Sequence, residues 1–161
     1  MDTTAHLLQE NEKRFITETA SLLATWGLPP SAGRFLAYLL LQKAPVGLDQ
    51  IAAHLELSKA GAWNAGRVLE TYGHVRRYGT VGSKRALYAV SDNFAAPAVA
   101  QASLIEEFEK LLRNCAATVA TGEVADQLQA RAQFLLMLRN SMTAAIEEWK
   151  SNKSRNDEKP E

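Results

Sequence analysis

Cysteine is almost missing from the 161-residue sequence. Cys115 stands alone, which excludes an intramolecular disulfide framework and any cysteine-based zinc site. Long apolar runs are missing too. None approaches the roughly 18–20 residues that a membrane-spanning helix needs. Net charge is also missing, because 18 basic residues face 18 acidic ones. That excludes a uniformly cationic, histone-like protein, but not a basic surface on one part of the chain. The opening Met1-Asp2-Thr3-Thr4 has no basic stretch leading into an apolar run, so a cytoplasmic protein without a secretion signal is expected. There is no GxSxG, P-loop, HExxH or dinucleotide fingerprint, so neither an enzyme nor a cofactor is expected. His6, His54 and His74 are scattered, no motif gathers them, and no metal site is expected.

What remains is the composition of an ordinary globular protein, 47% hydrophobic and 22% charged. The length suits one domain, or one small domain with appended helices. Glycine and proline cut it into segments. Residues 6–26 hold neither, and Leu7, Leu8, Phe15, Ile16, Thr19, Leu22, Leu23 and Trp26 recur at helical spacing. Gly27-Leu28-Pro29-Pro30-Ser31 ends that helix and starts another, carrying Phe35, Leu36, Leu39 and Leu40. Residues 49–55 and 58–72 then form two helical patterns about two residues apart. Ser58 is the N-cap of the second and Gly73 its stop. The period changes at Val75-Arg76-Arg77-Tyr78 and Ala86-Leu87-Tyr88-Ala89-Val90, which read as a two-stranded hairpin around a basic, glycine-containing loop, 79–85. Two long helices follow, 98–121 and 123–150, and a polar tail, 151–161, expected to be disordered.

Helix, short helix, tight turn, second helix and basic hairpin is the order of a winged helix–turn–helix. The expected fold is mainly α with a small β-hairpin wing. Residues 1–29 form an N-terminal dimerisation or support helix and 30–96 the winged helix–turn–helix. Residues 97–150 form a C-terminal helical dimerisation region, before the tail. Charge follows the same division. Residues 58–90 hold Lys59, Arg67, Arg76, Arg77, Lys84 and Arg85 against Glu70 alone, a net of +5. Residues 103–150 hold five basic and seven acidic residues, a net of −2. A basic module is what contact with DNA phosphates requires.

The run Ile51-Ala52, Leu55, Leu57-Ser58-Lys59-Ala60-Gly61-Ala62, then Arg67, Leu69-Glu70, Tyr72-Gly73 and Val75, resembles the winged helix of MarR-type transcriptional regulators. Upstream, Trp26-Gly27-Leu28-Pro29, Ala32-Gly33-Arg34 and Tyr38-Leu39-Leu40 are similar to the GbsR-like branch. Downstream, Gly82, Lys84-Arg85 and Tyr88 resemble its wing. The resemblance covers roughly residues 10–95. It implies a dimeric, sequence-specific, double-stranded-DNA-binding regulator, usually a repressor and sometimes controlled by a small-molecule effector. Trp63, where a small hydroxyl residue is more usual, and Gly66, inside the recognition helix, depart from the pattern.

With Ala62, Ala65 and Leu69 turned inward, Lys59, Ala60, Trp63, Asn64 and Arg67 face outward together. Asn64 suits a bidentate pair with adenine, and Arg67 one with guanine or a phosphate contact. The plain alternative is a solvated polar face. Lys59 suits a phosphate contact, which positions without specifying sequence; Ser58, at the start of the helix, is counted with the DNA-binding residues. Trp63 either presses on a thymine methyl or sugar, or folds back onto the protein. Arg85 suits a narrow minor groove, beside Lys84; its alternatives are a phosphate contact or a salt bridge to Asp92 or the domain body. Arg76 and Arg77 alternate on a strand, so at most one faces DNA. Arg34 reads as structural, Cys115 as a buried inert thiol. Trp26, Phe35, Tyr38, Phe94, Phe108 and Trp149 read as core and dimer packing rather than a cage for a quaternary ammonium effector.

On the last helix Leu128, Leu135, Leu138, Met142 and Trp149 make one apolar stripe, widened by Phe134, Met137, Ala145 and Ile146. A small winged helix cannot cover that surface; a two-fold partner can. A homodimer on a near-palindromic operator is therefore expected. The competing reading is a winged-helix adaptor that binds protein and not DNA, and the +5 module argues against it. The acid pairs Glu106-Glu107 and Glu147-Glu148 read as solvated charges.

Overall fold

The structure, a computed structural model, describes residues 8–79 and 85–157. In chain order its elements are α1 (Glu10–Ala24), α2 (Pro30–Leu40), β1 (Val46–Gly47), α3 (Leu48–His54), α4 (Lys59–Thr71), β2 (Val75–Gly79), β3 (Ala86–Val90), α5 (Ala96–Thr118) and α6 (Gly122–Asp157). The chain divides between Asn93 and Phe94 into two compact units. The fold is mainly helical with a small β wing, as expected, but the sheet has three strands. β1 lies outside the hairpin, in the antiparallel order β1-β3-β2.

The first unit is built on α2, which is apolar nearly all round and buried along most of its length. Phe35, Tyr38 and Leu39 meet Ile51 of α3 and Leu55 at its C-cap, Ala62 and Leu69 of α4, and Tyr88 of β3 in one core. α1 covers another side of α2. Its apolar pattern splits in two: Ile16 and Ala20 are buried and Leu23 packs against the core, whereas Phe15, Leu22 and Trp26 are exposed. The two sets lie on different sides of the helix, so one broad stripe was too coarse an expectation. At the α1–α2 crossing, a Cβ on Gly33 would come within 2.9 Å of the Ala20 backbone. Only glycine allows that approach.

The helix ends follow local chemistry. Proline at the start of α2 supplies a preset φ where no N–H partner is needed. Gly27 and Gly73 take φ +88° and +74° after α1 and α4. After α4, the His74 N–H donates to the Leu69 carbonyl at 2.8 Å and the Gly73 N–H to that of Glu70 at 3.1 Å, a Schellman closure. The turn between α3 and α4 closes in the same way, with Leu57 N–H on the Ala52 carbonyl at 2.9 Å. There the left-handed position is filled by Glu56, at φ +53°, rather than by glycine.

The second unit is a pair of long helices, α5 and α6, joined at Gly122 (φ +57°). Ala102, Glu109, Ala132 and Ile146 are buried in it. Glu109 is paired with Arg113 one turn on, and Arg139 reaches Glu106 at 3.7 Å. A largely apolar hollow of about 430 Å³ is lined by Phe108, Leu112, Gln127, Ala130, Arg131, Phe134 and Leu135. α6 runs on to Asp157, so the tail expected to be disordered from Ser151 is helical over its first seven residues. The extension is held by contacts within the helix: Lys153 lies over the Trp149 ring and Arg155 bonds the Asn152 side chain at 2.6 Å. Among the described residues, no helix is long and apolar enough to cross a membrane.

Candidate nucleic-acid interface

The second helix of the helix–turn–helix, α4, starts at a chemical cap. The Ser58 hydroxyl oxygen accepts from the Gly61 N–H at 3.0 Å, satisfying one of the unpaired donors of the first turn. Ala62, Ala65, Gly66 and Leu69 are buried, which fixes the rotation of the helix. Lys59, Ala60, Trp63, Asn64 and Arg67 are then all exposed on the opposite side, where the sequence pattern put them.

Gly66 is no flaw in this helix. A Cβ there would come within 2.9 Å of Tyr88 Cε1 and 3.4 Å of Phe35 Cζ. The Tyr88 ring is 1% exposed and packs edge-on against Phe35, with centroids 5.3 Å apart. The glycine that looked like a cost inside the helix is what lets α4 lie against β3.

The outward side chains are not independent. The Arg67 guanidinium lies over the Trp63 ring, 4.9 Å from its centroid. Trp63 therefore neither folds into the core nor stands alone; it is 41% exposed and engaged along its own helix. Lys59 Nζ meets Asp49 Oδ1 at 2.8 Å. That hydrogen bond and the lysine's charge hold the Asp49 carboxyl below its usual range, and the charge of Arg85 adds to the effect. Asp49 thus ties the first turn of α3 to that of α4, with Arg85 at the base of the wing close enough to feel it. The sequence reading overlooked Asp49. An acid in the first turn of a helix is ordinary dipole chemistry, and no short-range signal links it to a lysine ten residues on.

The wing is less fully described. β2 and β3 pair from Val75 with Val90 to Gly79 with Ala86. Lys84 lies outside the described residues, as does the rest of 80–84; Arg85 is exposed just before β3. Arg76 and Arg77 are both exposed; Arg76 is 4.0 Å from Asp92, the acid considered for Arg85. Arg34 acts structurally, its Nη2 donating to the Leu55 carbonyl at the end of α3 at 2.6 Å.

The remaining candidates separate. The Tyr38 hydroxyl and His54 Nδ1 share a hydrogen bond of 2.7 Å. Burial raises the Tyr38 pKa and lowers that of half-buried His74. His6 lies outside the described residues, and no group of three His, Cys, Asp or Glu able to hold a metal occurs among the described ones. Of the aromatic set, Phe35 and Tyr38 are core residues of the first unit. In the second, Phe94 and Trp149 pair edge-on at 6.1 Å, with Lys153 over the tryptophan ring.

No protein-family model and no curated protein matches the chain. Solved structures do. A crystal structure of a transcriptional regulator superposes with a TM-score of 0.79 at 20% identity, covering 88% of this chain and 99% of that one. Structures of MepR, a transcription regulator of the Staphylococcus aureus multidrug efflux pump MepA, are more distant. One has a TM-score of 0.41 at 19% identity, over 84% of this chain and 98% of that one. A MepR–DNA complex has 0.40 at 20%, over 85% and 98%. At these identities the likeness is one of fold, and it is the first that carries it.

Proposed function

We propose that the protein is a sequence-specific, double-stranded-DNA-binding transcriptional regulator of MarR type, nearest the GbsR-like branch. It acts as a homodimer, as a repressor, on a near-palindromic operator. The observation that carries this reading is the exposed face of α4, where Asn64 and Arg67 stand together on a helix held rigid by its buried side. The +5 charge of residues 58–90 and the fold shared with a protein solved as a transcriptional regulator support it. α4 lies in the major groove. Asn64 and Arg67 meet base edges, with Trp63 beside them, while Ser58 and Lys59 contact the backbone at the helix start. Lys84 and Arg85 of the wing reach the backbone or minor groove. A small-molecule effector tunes the affinity.

The test is a titration of labelled duplex from the protein's own upstream region at several salt concentrations. Wild type is compared with an Arg67→Ala, Arg85→Ala double variant. Submicromolar binding that competitor DNA does not erase, and that the variant loses, is expected. Weak binding that is fully competed and indifferent to both substitutions would leave only general electrostatics. The search would then turn to a protein partner.

A further inference from the structure

We infer that Trp63 is a positioning residue for Arg67, a flat shelf that holds the guanidinium ready to read a base. The inference deepens the DNA-binding reading and rests on it. Trp63 and Arg67 are four residues apart on α4, so they are neighbours on one helix face. That face is opposite Ala62, Ala65 and Leu69, which anchor the helix in the core. The guanidinium carbon sits 4.9 Å from the indole centroid, within the range where a cation is drawn to the ring face.

An arginine reads guanine through a planar fork, and its long side chain is otherwise free to rotate. Stacking on the indole removes much of that freedom in the free protein, rather than at the moment of binding. Glu70 is the one carboxylate in 58–90. Among the described residues no carboxylate forms an ion pair with Arg67, so the ring is its fixed neighbour. A bulky residue at a place where a small hydroxyl side chain is usual is thereby explained, because it serves the arginine one turn later.

The measurement is the ratio of affinities for the upstream duplex and a scrambled duplex of equal length. It is made for wild type, Trp63→Ala, Trp63→Phe, Arg67→Ala and the Trp63→Ala, Arg67→Ala double variant. Trp63→Ala is expected to lower the ratio about threefold, the scale of an exposed cation–π contact. Trp63→Phe should keep most of it, since a phenyl ring still offers a face. In the Arg67→Ala background, Trp63→Ala should change nothing further. The proposal is overturned if the two losses multiply in the double variant, because Trp63 would then touch DNA on its own account. It is also overturned if Trp63→Ala matches wild type. A wild type that does not distinguish the duplexes defeats the DNA reading itself, and this proposal with it, before any variant is made.

Discussion

Gly66 is the residue at which local propensity and packing disagree most openly. Alanine there gains up to about 1 kcal/mol of helix propensity. Its methyl group, however, must fit where Tyr88 Cε1 is 2.9 Å and Phe35 Cζ 3.4 Å away, against a buried Tyr88 ring that already packs edge-on on Phe35. Overpacking a buried site of this kind costs about 1–3 kcal/mol. Gly66→Ala is therefore expected to lower the urea midpoint, with an unchanged slope; a rise would mean that the sheet yields freely. His74 offers a second residue-scale test. Burial depresses its pKa in the folded state, so the unfolded chain binds the proton more readily. Its neutral form is favoured by folding above about pH 6.5, and stability falls as the pH drops from there through the folded pKa. His74→Gln should flatten this part of the stability–pH curve, measured by denaturant midpoints across pH 5–8. Equal slopes in both proteins would assign the acid sensitivity to other groups. Neither feature was visible beforehand. The sequence marks Gly66 as a cost in a helix, and only the approach of β3 turns that cost into a requirement.

At the scale of elements, legibility followed chemistry. α4 was readable at both ends because Ser58 is a start signal and Gly73 a stop signal, each with a mechanism, and its rotation was readable because three small or apolar residues recur on one side. β1 was not readable: two residues, Val46 and Gly47, are too few to show an alternation, and they become a strand only by pairing with Tyr88 and Leu87 of β3. The helical run past Ser151 was missed because nothing apolar marks it; its bonds are made along α6 itself. The link from α3 to α4 through Asp49 belongs to this scale as well. One carboxylate holds Lys59, proposed above for the phosphate backbone, and also feels Arg85, proposed for the backbone or minor groove. In the proposed DNA-binding reading, Asp49 therefore competes with phosphate for Lys59. Asp49→Asn is expected to tighten non-specific duplex binding about two- to fivefold at low salt, the scale of an exposed ion pair. It should also steepen the salt dependence by about one unit of log–log slope as Lys59 becomes available. Weaker binding by the variant would show instead that Asp49 aims Lys59 at the phosphate.

For the whole molecule the open surface is the more telling quantity. In the second unit Leu104, Phe108, Leu111, Val119, Val124, Phe134 and Met137 are each more than half exposed. Two helices packed on each other have no second layer to cover both apolar sides, and an exposed apolar area of this kind marks an interface. The sequence stripe on the last helix announced the excess of apolar side chains. It could not say which of them the partner helix within the chain would cover; Ile146 is buried while Phe134 and Met137 are not. In the homodimer proposed above, a second copy covers the remainder, and a two-fold dimer of this class reads half-sites roughly 34–36 Å apart. Phe134→Glu tests this directly. The side chain is 62% exposed within one chain, so a charge there leaves the folded unit intact, whereas a charge buried without a partner in a dimer contact is costly. Sedimentation should show two-chain particles for wild type and single chains for the variant. Specific DNA affinity should fall by about two orders of magnitude, as the coupling of two half-sites is lost, while far-UV circular dichroism stays the same. A wild type that sediments as a single chain overturns the dimer; a variant that stays dimeric with full affinity shows that this face does not join two copies, and the exposed Phe15 and Leu22 of α1, with Trp26 just beyond it, become the next surface to charge.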